Sequence, residues 1–514
     1  MRIATVTPTR PNHRPKGFGR LVAEKYESGG TLPTSLSWLR VDKGAIVNER
    51  GVAVHLRGTC LGGWMNMENF ITGFPANEAL MRSAVLAEIG VDRSEFFFNR
   101  LLHDFFSAAD ADFLASLGLN SIRVPINYHH FESDRRPFEV DERGFEHLDR
   151  LIALCGERGI YVIVDLHAVP GSQNYHWHSD NPTHVASFWT QRQFQDRVVH
   201  LWEVIADRYN GVSAVAGYNP LNEPADASRS LIGPFYERLV AAIRSVDSRH
   251  ILFVDGNTYS TEFDIFGEPF ENTVYTCHDY VAAGLGPGGE YPGTTKGTLY
   301  DRGTVEAKFL ERTSYCRRTG TPIWVGEFGP IYTGDAVRDE SRYRILTDQL
   351  DLYDEYDAGW AIWTYKDVGR QGIVHLAPGA AYEVRFRELM AKKDRLAVDF
   401  WGSEGVGVAE VTEPVQDLIA REFPDFDPYP WGRVEWVQTL LLNILCAQPL
   451  VGEYAALFRG LDEEALAALA GSFAFERCHV RERLATQLAR HAKQTPQSDR
   501  PQAGREGAVA SELS

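Results

Sequence analysis

The chain has 514 residues, 44% of them hydrophobic and 24% charged, which excludes a fibrous or wholly disordered protein and leaves room for one large domain with additions. Its formal net charge of -18 disfavours nucleic acid or an anionic membrane surface as partner and tolerates a neutral substrate such as a sugar. The six cysteines, Cys60, Cys155, Cys277, Cys316, Cys446 and Cys478, are scattered with no C-x-x-C pair, so buried reduced thiols are expected rather than a zinc site or a disulfide framework.

The opening residues, MRIATVTPTRPNHRPKGF, carry basic side chains but no apolar core segment, and no later stretch reads as apolar enough to span a membrane, so a cytoplasmic protein is expected. After an N-terminal extension over 1–35, the chain from about residue 50 to 365 alternates amphipathic helices with short apolar runs, the mark of a parallel α/β fold. Leu148, Leu151, Ile152 and Cys155 mark one helix face, Gly159 ends it, and YVIVD over 161–165 reads as a buried strand. Phe194, Val198, Leu201, Trp202 and Ile205 lead in the same way to a strand over 215–219, and Phe235, Leu239, Ile243 and Val246 to one over 251–254.

Candidate strands near Val54, Ile122, Ile163, Ala216, Leu252, Val274, Trp324 and Ala361 make eight, the number that closes a (β/α)8 TIM barrel, although periodicity alone also fits an open doubly wound sheet. The catalytic barrel is expected over 36–425. A helical region over 426–492 then supplies either the last barrel helix with a small cap or a separate appendage, and a polar, disordered tail follows over 493–514.

In such a barrel the residues just after each strand meet at one rim. Glu223, in AVAGYNPLNEPAD, and Glu327, in TPIWVGEFGP, both fall there although far apart in sequence. Two carboxyls on one rim are what glycoside hydrolysis uses, one protonating the leaving oxygen and the other meeting the developing oxocarbenium carbon. The acid needs burial to keep its proton, and the ionised partner needs a nearby cation, for which Arg123 in SIRVPINY is the candidate. A lone Glu after a strand is more often a helix N-terminal charge, so the reading rests on the pair together.

Around these residues the chain resembles glycoside hydrolase family 5 of clan A, closest to its exo-β-1,3-glucanase type. The likeness is carried by RGTCLGGWMNMENF at 57–70, GLNSIRVP at 118–125, DLHAVPGSQN at 165–174, LNEP at 221–224, HDY at 278–280, GEFG at 326–329 and IWTY at 362–365. The resemblance implies Glu223 as acid/base and Glu327 as nucleophile of a retaining enzyme. It implies further that Asn222 holds the sugar 2-hydroxyl, that His167 and Arg123 frame the nucleophile, and that His278 and Tyr280 orient its neighbourhood. Trp363 would form the floor under the sugar, and Glu68 would contact a terminal sugar, which favours an exo-acting pocket. Plainer readings stand beside these: hydrogen-bonded core histidines for His167 and His278, barrel packing for Trp363, and a local cap or salt bridge for Glu68.

The segment NYHWHSDNPTH, with His176, His178 and His184, invites a metal reading, but its spacing fits no familiar ligand pattern, and it is expected to line the substrate entrance instead. No cofactor is implied. The expected function is hydrolysis of a terminal sugar, foremost glucose, from a small oligosaccharide or glycoconjugate. The alternatives are an endo-β-glucanase or diglycosidase, or a catalytically inactive carbohydrate-binding barrel. An acyl hydrolase is disfavoured because no G-x-S-x-G elbow occurs.

Overall fold

A computed structural model of the chain describes residues 36–286, 288–398 and 406–493. Eight parallel strands close into a barrel: β1 (Arg57–Cys60), β2 (Ser121–Asn127), β3 (Tyr161–Ala168), β4 (Val215–Asn219), β5 (Ile251–Asp255), β6 (Thr273–His278), β7 (Ile323–Glu327) and β8 (Gly359–Ile362), with β8 pairing back onto β1. All are buried save one half-buried end residue, which is why most of them, though not β1, read as largely apolar runs rather than as alternating ones. Closure excludes the open sheet.

The predicted helix faces are the buried ones: Leu148, Leu151, Ile152 and Cys155 on helix Glu146–Gly156, Val198, Leu201, Trp202 and Ile205 on Arg192–Tyr209, and Phe235, Leu239 and Ile243 on Ile232–Val246. The first strand lies at Arg57–Cys60, not at Val54. Val54 donates its backbone N–H to Ile46 (2.8 Å), so the apolar run VAVHL belongs to the approach from a preceding hairpin, Leu39–Asp42 with Ala45–Asn48. That hairpin places Leu39 and Ile46 in one apolar cluster with the interior residues Tyr161, Ile251 and Trp324, sealing the barrel at the end opposite the strands' C-termini.

The C-terminal region is wound into the barrel. Strand Cys478–Val480 pairs antiparallel with Val374–Leu376, and helix Glu482–Ala492 then packs against both Ala336–Glu355 and Ala108–Leu117, the helices that follow β7 and precede β2. Its buried residues are Leu484, Ala485, Leu488 and His491. His491 Nδ1 lies 2.6 Å from Asp354, and its carbonyl accepts from the Arg57 guanidinium. The eighth helix of the barrel therefore comes from the end of the described chain, and a division at residues 425 and 426 does not separate two packing units.

One element departs from the expectation that no segment is apolar enough to span a membrane. The continuous helix Gly432–Ala456 has a mean hydropathy of 1.3 over its most apolar window, of which 39% is buried. Its buried side chains, Ala447, Leu450, Val451, Tyr454 and Ala455 among them, lie toward helix Glu78–Ile89, so burial against the barrel accounts for part of the apolarity. Among the described residues the cysteines are all free thiols, with Cys60, Cys155, Cys277 and Cys316 buried. The expected N-terminal extension and the polar tail beyond Lys493 lie outside the described residues.

Candidate active site

The nine residues singled out from sequence converge at the C-terminal ends of the strands. Arg123 stands on β2, His167 near the end of β3, His278 ends β6 and Glu327 ends β7. Asn222 and Glu223 follow β4, Tyr280 follows β6, Trp363 follows β8, and Glu68 caps the short helix Asn69–Thr72 after β1.

Arg123 is the hub. Fully buried, it donates from Nη1 to Glu327 (2.6 Å), from Nη2 to Asn222 (2.6 Å) and from Nε to Asn219 (2.9 Å), and Nη2 lies 3.2 Å from Asp165. Burial opposes its charge, but Asp165 and Glu327 more than compensate and raise its pKa well above the usual value, so it stays cationic. The other Glu327 oxygen accepts from the Tyr280 hydroxyl (2.9 Å).

Glu223 stands in a different setting. His278 Nδ1 is 2.5 Å from one of its oxygens and His178 Nε2 is 3.0 Å from the other. Burial drives His278 well below the ordinary histidine range and His178 to about 4, so both rings are neutral near pH 7. With no cation in contact among the described residues, burial lifts the Glu223 carboxyl to about 8, Arg123 opposing and Asp165 adding to the rise. Burial raises Glu327 too, but there Arg123 is the strongest force pulling back, and it acts through a direct hydrogen bond. Near neutral pH the single proton of the pair therefore belongs on Glu223. One oxygen from each carboxylate and a nitrogen of His278 lie within 4.8 Å of one another. Three such donors could also approach a metal ion, but the Arg123 guanidinium already neutralises Glu327 and would repel a cation there.

Glu223 holds a backbone φ of 44°, a left-handed conformation that costs a non-glycine residue about 1–2 kcal/mol. Two fixed partners hold it. Its N–H donates to Asp255 (2.9 Å), and its carbonyl accepts from Asn174 (3.0 Å). Strain held in this way is characteristic of functional positions, and here it aims the carboxyl at Glu327.

His167 does not touch Glu327. Its Nδ1 is 2.7 Å from Asp165, its Nε2 is 3.2 Å from the Asn222 amide and 3.5 Å from Glu68, and its ring stacks on Trp363 with centroids 5.5 Å apart and planes 14° apart. His278 lies closer to Glu223 than to Glu327, from which its Nδ1 is 3.5 Å. Glu68 is 4% exposed, and among the described residues its Oε1 has no hydrogen-bond partner. Burial, then the charges of Glu327 and Glu223, hold its carboxyl well above the usual range.

Sequence reading passed over Asn219, which ends β4, and Asp255, which ends β5; Asp165 and Asn174 lay inside a quoted motif without a role. A polar residue closing an apolar run in a barrel strand is the signal that marks the first three. The histidines of 176–184 cluster, the His176 ring centroid lying 6.0 Å from that of His178 and 6.1 Å from that of His184, but each takes a different partner. His178 meets Glu223, His184 Nδ1 is 3.0 Å from the Tyr175 carbonyl, and His176 stacks on Trp431.

A closed (β/α)8 barrel carrying two carboxyls this close on its C-terminal rim, one cation-paired and one proton-bearing, is the arrangement of a glycoside hydrolase. Residues 93–369 match the model of the cellulase family, glycosyl hydrolase family 5, and the chain belongs to that family. It is 44% identical over 464 residues to a beta-xylosidase of Phanerodontia chrysosporium, covering 87% of this chain and 97% of the relative. It is 26% identical to a probable glucan 1,3-beta-glucosidase A of Neosartorya fischeri, over 62% of this chain and 84% of the relative. Among solved structures, a glycoside hydrolase aligns with a TM-score of 0.48 at 22% identity, over 64% of this chain and 94% of the other.

Proposed function

We propose that this glycoside hydrolase is a retaining, exo-acting β-glycosidase in which Glu327 is the nucleophile and Glu223 the acid/base. The carrying observation is the pair itself, one oxygen of each carboxyl lying within 4.8 Å of the other, with burial raising the Glu223 carboxyl to about 8. Retaining pairs stand about 5 Å apart, whereas inverting pairs stand wider to admit a water. Glu327, held by Arg123 and Tyr280, attacks the anomeric carbon while Glu223 delivers its proton to the leaving oxygen. Water then enters, Glu223 takes its proton, and the glycosyl–Glu327 ester is cleaved. In this reading Asn222, which Arg123 and His167 orient, meets the 2-hydroxyl.

Exo action is supported by Glu68, whose buried, unpartnered Oε1 beside His167 offers an acceptor to a terminal sugar's hydroxyls. Glucose is the sugar the motifs suggest, while the 44% identical relative makes β-D-xylose the first alternative. A panel of nitrophenyl β-glucoside, β-xyloside, β-galactoside, β-mannoside and β-cellobioside, run on wild type and Glu327→Ala, tests the reading. Turnover of one monosaccharide glycoside, lost in the variant and restored by azide as a glycosyl azide of inverted configuration, supports it. Turnover of the cellobioside alone favours endo action or disaccharide release.

A further inference from the structure

Beyond the family match, the segment 427–438 folds back over the acid/base side of the rim. Tyr429 places its hydroxyl 2.9 Å from that of Thr258, after β5, and Glu435 lies 3.3 Å from His176 Nε2. Between these anchors stands Trp431, 46% exposed. His176 stacks on its ring with centroids 5.4 Å apart and planes 12° apart, and Tyr259 lies 4.3 Å from it at 36°. The His176 and Tyr259 centroids are themselves only 5.2 Å apart. Rings on opposite faces of an indole would be separated by at least about 7 Å, twice the contact distance of carbon atoms. Both therefore back the same face of Trp431, and among the described residues no other ring or cation lies against it.

The backing leads to the acid/base. Tyr259 is 6.0 Å from the ring of His178, whose Nε2 is 3.0 Å from Glu223. Because Glu223 protonates the leaving oxygen, the leaving group emerges on this side. An exposed aromatic held rigid by two rings behind it is suited to the apolar face of a flat ring. We propose that Trp431 is the platform on which the substrate's leaving group stacks, a group presenting a ring with an apolar face, either a second sugar or a ring-bearing aglycone. This specificity residue rests on the exo-glycosidase reading above.

The experiment compares wild type, Trp431→Ala and Trp431→Phe on three substrates sharing the terminal sugar that the panel selects: the glycosyl fluoride, which has no ring to stack, the matching disaccharide, and the methylumbelliferyl glycoside. Trp431→Ala is expected to lower kcat/KM about tenfold on at least one ring-bearing substrate, mostly through KM, with Trp431→Phe recovering most of the loss and the fluoride unaffected. Loss on the disaccharide alone identifies a sugar, and loss on the umbelliferyl glycoside alone an aglycone. Equal losses on the fluoride, or no loss on either ring-bearing substrate, overturn the assignment while leaving the catalytic reading intact. A folded wild type inactive on all three overturns the catalytic reading and this assignment with it.

Discussion

Replacing Tyr280 by Phe removes one hydroxyl from a ring whose oxygen sits 2.9 Å from Glu327. A hydrogen bond to an ionised group contributes about 1.5–3 kcal/mol net, and one pKa unit corresponds to about 1.4 kcal/mol, so the Glu327 pKa should rise by about one to two units. The lower figure is favoured because Arg123 keeps its own 2.6 Å bond to the other oxygen. The sign follows from which form is held: the phenol O–H stabilises the carboxylate, so its loss favours the protonated, inactive nucleophile. In a pH profile of kcat/KM the acid limb should move up by about one unit, with a plateau loss of about tenfold, while the alkaline limb set by Glu223 stays in place. An unmoved acid limb with unchanged activity would show that the Tyr280 hydroxyl does not stabilise the Glu327 carboxylate and would refute this reasoning.

The alkaline limb should fall near pH 8, because Glu223 must carry its proton to act as acid and burial holds its pKa at about 8; a limb at the ordinary carboxylate value would refute its role. Glu223→Ala should spare glycosides with good leaving groups far more than poor ones, since only the latter need protonation, and equal losses measured as kcat/KM would count against the acid/base. Lys366, fully buried, donates to Asp110 (2.5 Å) and to the carbonyls of Phe105 and Phe473, so Lys366→Met should destabilise the fold by about 3–5 kcal/mol in denaturant titration; a shift within error would show that the pair contributes nothing. Deleting the residues from Glu482 onward should prevent soluble folding, because it strips the eighth barrel helix from Arg57 and Asp354; a monomeric variant with native near-ultraviolet dichroism would contradict that packing.

The meeting of Glu223 and Glu327 at one rim was legible in sequence because a barrel strand ends at a definite place in the pattern. A long apolar run closed by a polar residue puts that residue on the rim, as with Glu327, and Glu223 follows within a few residues of an earlier such run. Arg123 could be placed beside them because a lone cation inside a strand otherwise surrounded by apolar side chains has few means of being buried without carboxylates. Which partner each neighbour takes was not legible. His167 reads as near the nucleophile yet turns to Asn222 and Glu68, because its Nδ1 is taken by Asp165, two residues earlier on the same strand face.

Sequence by itself determined the layered α/β fold, the eight strands and the placing of Glu223, Glu327 and Arg123 at the rim, since strand periodicity and the polar residues that end apolar runs are local signals; the other six rim residues came from the resemblance to the family. Tertiary structure alone decided where β1 begins, which segment supplies the eighth helix, and that Trp431 reaches the Glu223 side of the rim. Each of these depends on contacts across hundreds of residues, between Arg57 and His491 or between His176 and Trp431, and no local pattern encodes which distant surface a helix will cover. The pKa difference between the two glutamates also belongs to the folded molecule, because it arises from burial and from which carboxylate the one guanidinium grips.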